Sequence, residues 1–526
     1  MKKTAAIIFR SIILLLAGVA IGFFMSDNHL ADRLDPNGKD KVSKVLNLVR
    51  HNYVDSVNVD SIEGSTVNNL LQNLDPHSLY LPAQQATSLN ERLEGGFDGV
   101  GIEYILLRDT LVITQVNANG PAAKAGIAPG DKVIEVDHKS FSGTNLTMLK
   151  VSKIFRGAKN SQVVMGIIPE GSKILKTYII KRDHVDLSSL DASYMLNATT
   201  GYIKISKFAS TTDADFRKAL AGLKTDGLQK LVLDIRGNGG GYLNTATALA
   251  DEFLMKKQLI VYTKGIHDPR TDYFATDSGN FQQGKLAVLI DEHSASASEI
   301  LAGALQDLDR AVIVGRRSFG KGLVQEQFAF GDGSAVNLTI ARYYTPSGRS
   351  IQKSYSHGID SYRNELAQRM QKGELFSEES NLKDSIFNKP TNYHTSAGRK
   401  VFSGGGIMPD IFVPVDTAQN TYLLRQLSNA QLFQAYVIDR MQPLLNKYTA
   451  EDFIKNHVIT DADLGNFILY ASQSIKDLSP TEGMISKDAI KTQLKAFAAR
   501  FKWGDVAYYK VINANDAVVK KAVEAI

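Results

Sequence analysis

Residues 284–308 read GKLAVLIDEHSASASEILAGALQDL, and this stretch predicts a strand, a turn and a helix in that order. Leu286–Ile290 is a continuous apolar run with the length of a buried strand. After the polar turn, apolar residues recur at helical spacing, at Ile300, Leu301, Ala304, Leu305 and Leu308. Apolar strands also end in glycine turns at residues 228–237 (LQKLVLDIRG) and 310–315 (RAVIVG). The sequence therefore predicts a buried, largely parallel sheet with helices against it over residues 184–415.

Ser296 stands where this strand turns into the helix. At such a turn a serine hydroxyl projects outward, and the backbone N–H groups that follow, at the positive end of the helix, can stabilise an oxyanion. The small neighbours Ala295 and Ala297 leave room for a peptide backbone. Clusters of serine and alanine are also good helix caps. This stretch alone therefore predicts a nucleophile and a plain cap equally well.

The segment VIVGRRSFGKGLVQ, residues 312–325, raises the question of what its lysine does. Gly315–Gly322 looks like a phosphate-binding loop, but such a loop needs Ser or Thr after the lysine and a helix behind it. Here Lys321 is followed by Gly322 and by LVQEQFAF, which alternates like a strand. Two requirements fail, so the sequence argues against nucleotide binding.

Lys321 is instead a candidate base for the serine. A lysine titrates near ~10.4 when exposed, so it can act as a base near neutral pH only if its pKa falls by about three units. Burial between strands, with Phe319 as apolar cover, could lower it, and a Ser–Lys pair is a known variant of the catalytic triad. His293 is an unlikely alternative base, because it lies three residues before Ser296 at the strand end and no orienting acid is evident.

The third element is LDIRGNGGGYL, residues 233–243. Asp234 and Arg236 at the strand end are expected to form a structural pair. The glycines let backbone N–H groups face a ligand. Gly240, followed by Gly241, is the predicted second oxyanion donor, and a glycine turn without any ligand is the alternative.

Composition narrows the classes of function. The chain has 526 residues, a formal net charge of +5 and no long basic block, so nucleic-acid binding is not expected. It contains no cysteine, which excludes disulfides, cysteine metal sites and a cysteine nucleophile. The ten histidines show no metal-ligand spacing, so no metal and no cofactor is predicted.

The N-terminus carries a targeting signal. Residues 1–28 read MKKTAAIIFRSIILLLAGVAIGFFMSDN, with three basic residues before or within an apolar run. We predict an export signal over residues 1–27, either cleaved or retained as an inner-membrane anchor through residues 4–25. Positive charge ahead of the run places the remainder outside the cytoplasm, in the periplasm.

Three further regions are predicted from pattern. Residues 28–95 are expected to be helical, interrupted by LDPHSLYLP at residues 74–82, where His77 is interpreted as a turn residue rather than a ligand. Residues 355–400 are polar and predict a surface insertion. Residues 416–526 predict amphipathic helices.

Residues 96–183 resemble a PDZ domain. The resemblance rests on GPAAKAGIAPGDKVIEVD at residues 120–137 and on Gly99, Val100, Gly101 and Ile102, which are similar to the carboxylate-binding loop of that family. A PDZ domain adds an extended peptide to its sheet and holds the terminal carboxylate with backbone N–H groups. The resemblance implies protein partners with exposed C-terminal tails.

Over residues 40–415 the chain resembles the carboxy-terminal processing peptidases, or tail-specific proteases. The motifs occur in the family's order: LDPHSLYL, the PDZ segment, LDIRGNGGG, SASASEI, RSFGKGLVQ, TPSGRSIQ and GGIMPDI. The resemblance implies a multidomain α/β fold, in which a mixed-sheet serine peptidase core carries an inserted PDZ domain and has helical N- and C-terminal regions.

The same resemblance implies the roles of individual residues. Ser296 matches the nucleophile, Lys321 the general base and Gln325 the glutamine that orients the lysine. The oxyanion donors match the N–H of Ala297 and of a glycine in the NGGG turn. The implied function is a serine endopeptidase that cleaves extracytoplasmic proteins recognised through their C-terminal tails.

A catalytically silent PDZ scaffold is the alternative function. The intact set of serine, lysine and glutamine favours the enzyme, because a scaffold has no need of all three. The sequence leaves open the physiological substrate and whether the chain forms a homo-oligomer.

Overall fold

The computed structural model describes residues 41–143, 146–377, 393–419, 421–476 and 478–526. The predicted signal or anchor, residues 1–27, lies outside this part of the chain. The chain divides into two compact units, with the boundary between Asn73 and Leu74. Among the described helices, none has both the length and the apolar character needed to cross a membrane.

The described part of the first unit consists of two helices, α1 (Lys41–Asn52) and α2 (Val59–Gln72). Helix α2 begins where the Asn58 side chain accepts a hydrogen bond of 3.1 Å from the Ser61 N–H. This bond satisfies one of the N–H groups that a helix start leaves without an internal partner.

The second unit opens with a short strand, β1 (Leu79–Leu81), and helix α3 (Ala83–Glu94). Helix α3 ends at Gly95, which has φ +80°. A left-handed residue at this position is a common helix terminator, and glycine adopts it without steric cost. The chain then enters the region predicted to be a PDZ domain.

This region is a small antiparallel sheet with two helices. The strands are β2 (Gly96–Gly99), β3 (Ile102–Leu107), β4 (Thr110–Val116), β5 (Lys132–Val136), β6 (Lys139–Ser140), β7 (Gln162–Ile168), β8 (Lys176–Lys181) and β9 (Asp183–Asp186). The helices are α4 (Pro121–Lys124) and α5 (Met148–Phe155). The sheet order is β3-β4-β5-β7-β8, while β2 pairs with β9 and so brings the two ends of the region together. Adjacent ends suit a domain inserted into another chain segment.

The region predicted to be the peptidase core follows, and its elements alternate between strands and helices. The strands are β10 (Leu190–Met195), β11 (Thr200–Ile205), β12 (Lys230–Asp234), β13 (Leu259–Lys264), β14 (Thr271–Phe274), β15 (Lys285–Ile290), β16 (Val312–Gly315), β17 (Leu323–Ala329), β18 (Ala335–Tyr344), β19 (Tyr393–His394), β20 (Lys400–Val401) and β21 (Ile411–Phe412). The helices are α6 (Thr212–Thr225), α7 (Leu243–Asp251), α8 (Ala297–Asp307), α9 (Ile359–Arg363) and α10 (Glu365–Gln371).

The main sheet has the order β10-β11-β12-β15-β16-β21. All its pairs are parallel except β10 with β11. A second, antiparallel sheet joins β1, β18, β13 and β14, with β17 paired to β18. The predicted mixed α/β fold is confirmed, and the carboxyl ends of β12, β15 and β16 lie at one edge of the main sheet.

Helices cover both faces of the main sheet. Leu231 and Leu233 belong to the core formed with α6, α7 and α8. Val232, which points to the opposite face, packs with Val518 and Val519 near the end of the chain. Because alternate strand residues face opposite sides, one short strand serves both layers.

The C-terminal region is helical, as predicted. Its helices are α11 (Tyr422–Asn429), α12 (Leu432–Tyr436), α13 (Gln442–Leu445), α14 (Ala450–Asn456), α15 (Asp461–Ala471), α16 (Pro480–Ile485), α17 (Lys487–Trp503), α18 (Asp505–Asn513) and α19 (Ala517–Ala525). A π-helical turn, Val437–Met441, connects α12 to α13. On this turn Ile438 packs against Ile105 and Val112 of the PDZ-like sheet. The helical region thus contacts the PDZ-like sheet through this turn and the main sheet through α19.

The prediction that residues 355–400 form a surface insertion is wrong for part of this range. Within the described residues, Arg369 is 3% exposed and Glu374 is 5% exposed. Glu374 Oε1 lies 2.6 Å from Arg317 Nε and 2.9 Å from Arg369 Nε. Opposite charges that satisfy one another can be buried, so a polar sequence here does not mean a solvated one.

Candidate active site

Ser296 lies between β15 and α8 in a strained backbone conformation, with φ +54° and ψ −113°. Non-glycine residues seldom adopt positive φ, and such strain occurs preferentially at functional sites. Ser296 is half-buried, between the buried Ala295 and Ala297. No hydrogen bond to another described residue uses the N–H of Ala297, at the positive end of α8. An oxyanion could therefore be bound at this N–H.

Glu299, one turn into α8, is completely buried. Its Oε2 accepts the N–H of Ser296 at 2.9 Å and the N–H of Lys321 at 2.8 Å. Its Oε1 accepts the N–H of Gly320 at 2.7 Å and the hydroxyl of Ser318. Burial raises the pKa of Glu299 to about 7, and the four hydrogen bonds act in the opposite direction. One carboxylate thus joins the turn that carries Ser296, called the serine turn below, to the loop that carries Lys321, called the lysine loop.

Lys321 lies on the loop between β16 and β17, and β17 confirms the strand predicted after it. Burial lowers the pKa of the Lys321 amine, while the negative charges of Glu299 and Asp75 raise it. A lowered pKa increases the fraction of neutral amine, which is the form that accepts a proton. In the described residues, no hydrogen bond joins Lys321 Nζ to Ser296 Oγ.

Two residues of LDPHSLYL lie beside this lysine, although His77 was predicted only as a turn residue. Asp75 accepts N–H bonds from His77 at 2.8 Å and Ser78 at 2.9 Å, and the Ser78 hydroxyl at 2.6 Å. His77 Nε2 lies 2.7 Å from the hydroxyl of Tyr362. Burial, followed by the charge of Lys321, lowers the pKa of His77 to about 3. His77 is therefore neutral at physiological pH.

The NGGG turn packs directly against the serine. A Cβ at Gly240, which has φ +105°, would lie 2.9 Å from Ser296 Cβ. The Gly240 N–H donates to Asn238 Oδ1 at 2.9 Å. Asn238 also accepts, at its carbonyl, the Ala295 N–H at 3.0 Å and the Ser298 hydroxyl at 2.8 Å. Through these hydrogen bonds Asn238 connects the NGGG turn to residues 295–298.

Gly241 and the predicted pair of Asp234 and Arg236 adjoin this turn, and the role of Gly241 as an oxyanion donor stays a prediction. A Cβ at Gly241 would lie only 2.0 Å from the Phe208 carbonyl oxygen, so this position requires glycine. The structural pair of Asp234 and Arg236 is confirmed, with 2.6 Å between Oδ2 and Nη2. Arg236 also reaches Asp516 in the C-terminal region at 2.8 Å.

Gln325 lies on β17, and its Nε2 donates to Thr339 Oγ1 at 3.2 Å. The Thr339 N–H in turn donates to Ser78 Oγ at 3.1 Å, which connects the strand to the LDPHSLYL segment. The predicted orienting contact from Gln325 to Lys321 is not among the hydrogen bonds of the described residues, so its role stays a prediction.

The predicted carboxylate-binding residues run from Gly99, the last residue of β2, through Val100 and Gly101 to Ile102, the first residue of β3. The Val100 N–H donates to the Phe155 carbonyl at 3.1 Å, so α5 occupies this amide. Gly101 has φ +79°, which turns the chain into β3. Within the described part of the chain, strand β3 is the last in its sheet and pairs only with β4. Its other edge can accept an additional strand.

Sequence reasoning missed several residues that the fold brings to this site: Asp75, Asn238, Glu299 and Tyr343. Glu299 stands three residues after Ser296, a spacing that is typical of a capping box and would have indicated its bond to the serine N–H. Tyr343 lies within a strand-like sequence pattern, and the residues around it give no comparable indication of its contact with the site.

Comparison with known families agrees with the fold. The model of Peptidase family S41 matches residues 199–361, and a PDZ domain model matches residues 112–168. A family of unknown function matches residues 423–504 in the helical C-terminal region.

Individual relatives are similar over most of their length. The carboxy-terminal processing protease CtpB of Bacillus subtilis is 35% identical over 61% of this chain and 67% of its own. A probable CtpA-like serine protease of Staphylococcus aureus is 33% identical over 66% of this chain and 68% of its own. The solved photosystem II D1 C-terminal processing protease is 30% identical, with a TM-score of 0.33, and covers 58% of this chain and 83% of that one. The motifs and the curated relatives agree, and the chain belongs to the carboxy-terminal processing proteases, serine peptidases in which an S41 core is combined with a PDZ domain.

Proposed function

We propose that this chain is an endopeptidase with a Ser296–Lys321 dyad, acting on extracytoplasmic proteins that it recognises by their C-terminal tails. One observation carries the proposal. A strained serine at a helix N-terminus and a lysine with a lowered pKa lie on two loops held by one buried carboxylate.

In the proposed reaction, Ser296 Oγ attacks the peptide carbonyl carbon while its proton passes to the neutral amine of Lys321. The N–H of Ala297 and an N–H of Gly240 or Gly241 hold the oxyanion. Lys321 then returns the proton to the leaving amine as the C–N bond breaks, which leaves an ester on Ser296. Water attacks this ester and gives a proton to Lys321, which passes it to Ser296 Oγ as the acyl C–O bond breaks, and the released carboxylic acid then ionises to a carboxylate.

The reaction requires the hydroxyl and the amine to come within hydrogen-bond distance once a peptide is bound. Catalytic hydrogen bonds often form only in the complex with substrate, so their absence from the described residues agrees with a resting site. Gln325 is proposed to orient the amine in that complex, and Gly240 would have to exchange its bond with Asn238 to serve as a donor.

Tail recognition is assigned to the open edge of β3. A substrate tail would add as a strand, with its carboxylate near the loop of Gly99, Val100, Gly101 and Ile102. The substrate tails are proposed to be apolar. Amidation of the terminal carboxylate should raise KM with little change in kcat, because it removes binding common to the ground and transition states.

The location is proposed from the N-terminal segment, residues 1–27. Its basic start and apolar run predict export, with the remainder of the chain in the periplasm. Protease treatment of intact spheroplasts should degrade the exported chain, whereas protection from the protease would contradict this location.

The dyad is tested with Ser296→Ala and Lys321→Ala on a substrate that carries an apolar tail. Both variants should lose turnover while keeping the wild-type circular dichroism spectrum and melting temperature. Matched controls are Ser189→Ala and Lys204→Met, which alter a buried serine and a buried lysine elsewhere in the core. Retained cleavage by either dyad variant rejects the mechanism, and an inactive wild type that still binds tails would favour the scaffold.

A further inference from the structure

Two segments that are separated in sequence meet on one buried side chain in this structure. The serine turn and the lysine loop each present backbone N–H groups to the carboxylate of Glu299, one from Ser296 and two from Gly320 and Lys321. Two of these three donors are the backbone N–H groups of the proposed reacting residues, Ser296 and Lys321. A movement of Glu299 would therefore move both residues.

We propose that Glu299 is a positioning residue of the dyad, which fixes the spacing of the two loops and places a negative charge beside the Lys321 amine. The inference rests on the proposed Ser–Lys mechanism and adds to it a residue that touches neither the substrate nor the reacting atoms.

The positioning half of the inference follows from the number of donors. Each oxygen of Glu299 accepts two hydrogen bonds, and an ionised carboxylate has enough lone pairs for all four. A glutamine at this position would offer one acceptor oxygen, and its NH₂ group would face donors at the other position. Glu299→Gln should therefore loosen one loop from the other while leaving the size of the side chain unchanged.

The electrostatic half concerns the charged and titratable groups around Lys321. Glu299 faces it from α8, and Asp75 and His77 face it from the turn before β1. Both carboxylates raise the pKa of the amine when they are ionised, Glu299 above its own pKa of about 7, and His77 is neutral. Lys353 Nζ lies 3.8 Å from the ring centroid of Phe319 and 4.3 Å from that of Tyr362, and its charge lowers the pKa of His77. Removal of the charge at Glu299 should therefore lower the pKa of Lys321.

The test is the pH profile of kcat/KM for the full chain and its Glu299→Gln variant on one tail-bearing peptide. Activity should rise with pH as Lys321 loses its proton. In the variant this rise should move to lower pH by about one unit. The plateau should fall by about 100-fold, because small misplacements of reacting groups cost rates of that order.

The matched control is Glu252→Gln. Glu252 is also completely buried and accepts bonds of 2.9 Å from the N–H and Nδ2 of Asn280, but it lies away from the dyad. This variant should lose thermal stability and keep the pH at which activity rises. A purely structural role for Glu299 predicts that its variant behaves in the same way, and that result would overturn the inference.

The outcomes separate this inference from the mechanism on which it rests. If Lys321→Ala stays active, the dyad itself is wrong. If Lys321→Ala is inactive but Glu299→Gln keeps the wild-type plateau or pH profile, only the role of Glu299 is wrong. Should the glutamine variant not fold, Glu299→Asp replaces it, since aspartate keeps the charge and shortens the reach. In that variant kcat/KM should rise at the same pH as in the wild type but reach a lower plateau. Full activity in it would overturn the inference.

Discussion

The hydroxyl of Tyr343 lies 3.1 Å from the carbonyl oxygen of Ser296 and also donates to the carbonyl oxygen of Lys321. Tyr343 is on β18 and completely buried. Glu299 therefore accepts the N–H groups of Ser296 and Lys321, and the Tyr343 hydroxyl lies against the carbonyl groups of the same two residues. The serine turn and the lysine loop are thus connected through Glu299 at their N–H groups and through Tyr343 at their carbonyl groups.

Tyr343→Phe should destabilise the fold and slow the reaction. Loss of the hydroxyl removes the donor to the Lys321 carbonyl, at a cost of about 2 kcal/mol in the free energy of unfolding. We expect kcat to fall about tenfold, because the spacing of the loops is less defined. Denaturant unfolding and steady-state kinetics measure the two effects. The control, Tyr202→Phe, removes a buried hydroxyl that donates to Asp234 at 2.8 Å and should change stability alone. Unchanged kcat in Tyr343→Phe would contradict the prediction.

Gly240→Ala should reduce activity far more than Gly237→Ala. Both glycines have positive φ, so alanine strains the backbone at each by about 1 kcal/mol. Only at Gly240 would the new methyl group lie within 3 Å of Ser296 Cβ and the Ala295 carbonyl, whereas at Gly237 it meets nothing within 4 Å. We expect kcat/KM to fall about 100-fold in the first variant and little in the second. Equal losses would show that backbone strain, not contact with the serine, is responsible.

The free energy of unfolding should fall as the pH drops below 6.5, in part because of His77. Its folded pKa of about 3 lies below the value of about 6.5 expected in the unfolded chain. Between these values the unfolded chain binds a proton that the folded chain does not, so stability is lost as the pH falls through this window. His77→Gln should flatten the dependence between pH 7 and pH 5 in urea unfolding. The same slope in both proteins would rule out a neutral, buried imidazole.

Ile438→Ala should loosen the PDZ-like sheet where the helical region covers it. Ile438 packs against Ile105 and Val112, and truncation of a buried isoleucine costs about 2 kcal/mol or more. We expect amide hydrogens of β3 and β4 to exchange faster with solvent, as followed by mass spectrometry. The control Ile260→Ala creates a cavity in the peptidase core and should leave exchange in β3 and β4 unchanged. Equal exchange in β3 and β4 for wild type and Ile438→Ala would mean that the contact contributes nothing.

Local pattern was enough to predict the elements that carry the site. The strand before Ser296, the helix after it and the strand after Lys321 follow from apolar spacing and glycine turns, and all three are present. The resemblance of motifs to a known family predicted the fold class, which is confirmed.

Contacts between distant segments could not be predicted in the same way. The bond from Glu299 to the Lys321 loop and the bridge made by Tyr343 depend on how β16, β17 and β18 are placed around α8. The burial of Arg369 and Glu374 could not be predicted, because a polar sequence does not reveal that its charges pair in the interior. His77 was assigned to a turn on local grounds, and only the tertiary fold brings it beside Lys321.

The backbone at Ser296 has a further practical consequence. Its φ of +54° with ψ −113° is costly for serine and accessible to glycine, so the proposed nucleophile lowers the stability of the fold at this position. Ser296→Gly should accordingly be both inactive and harder to melt. Such a stable, inactive variant could be used to capture uncleaved physiological substrates from cell extracts.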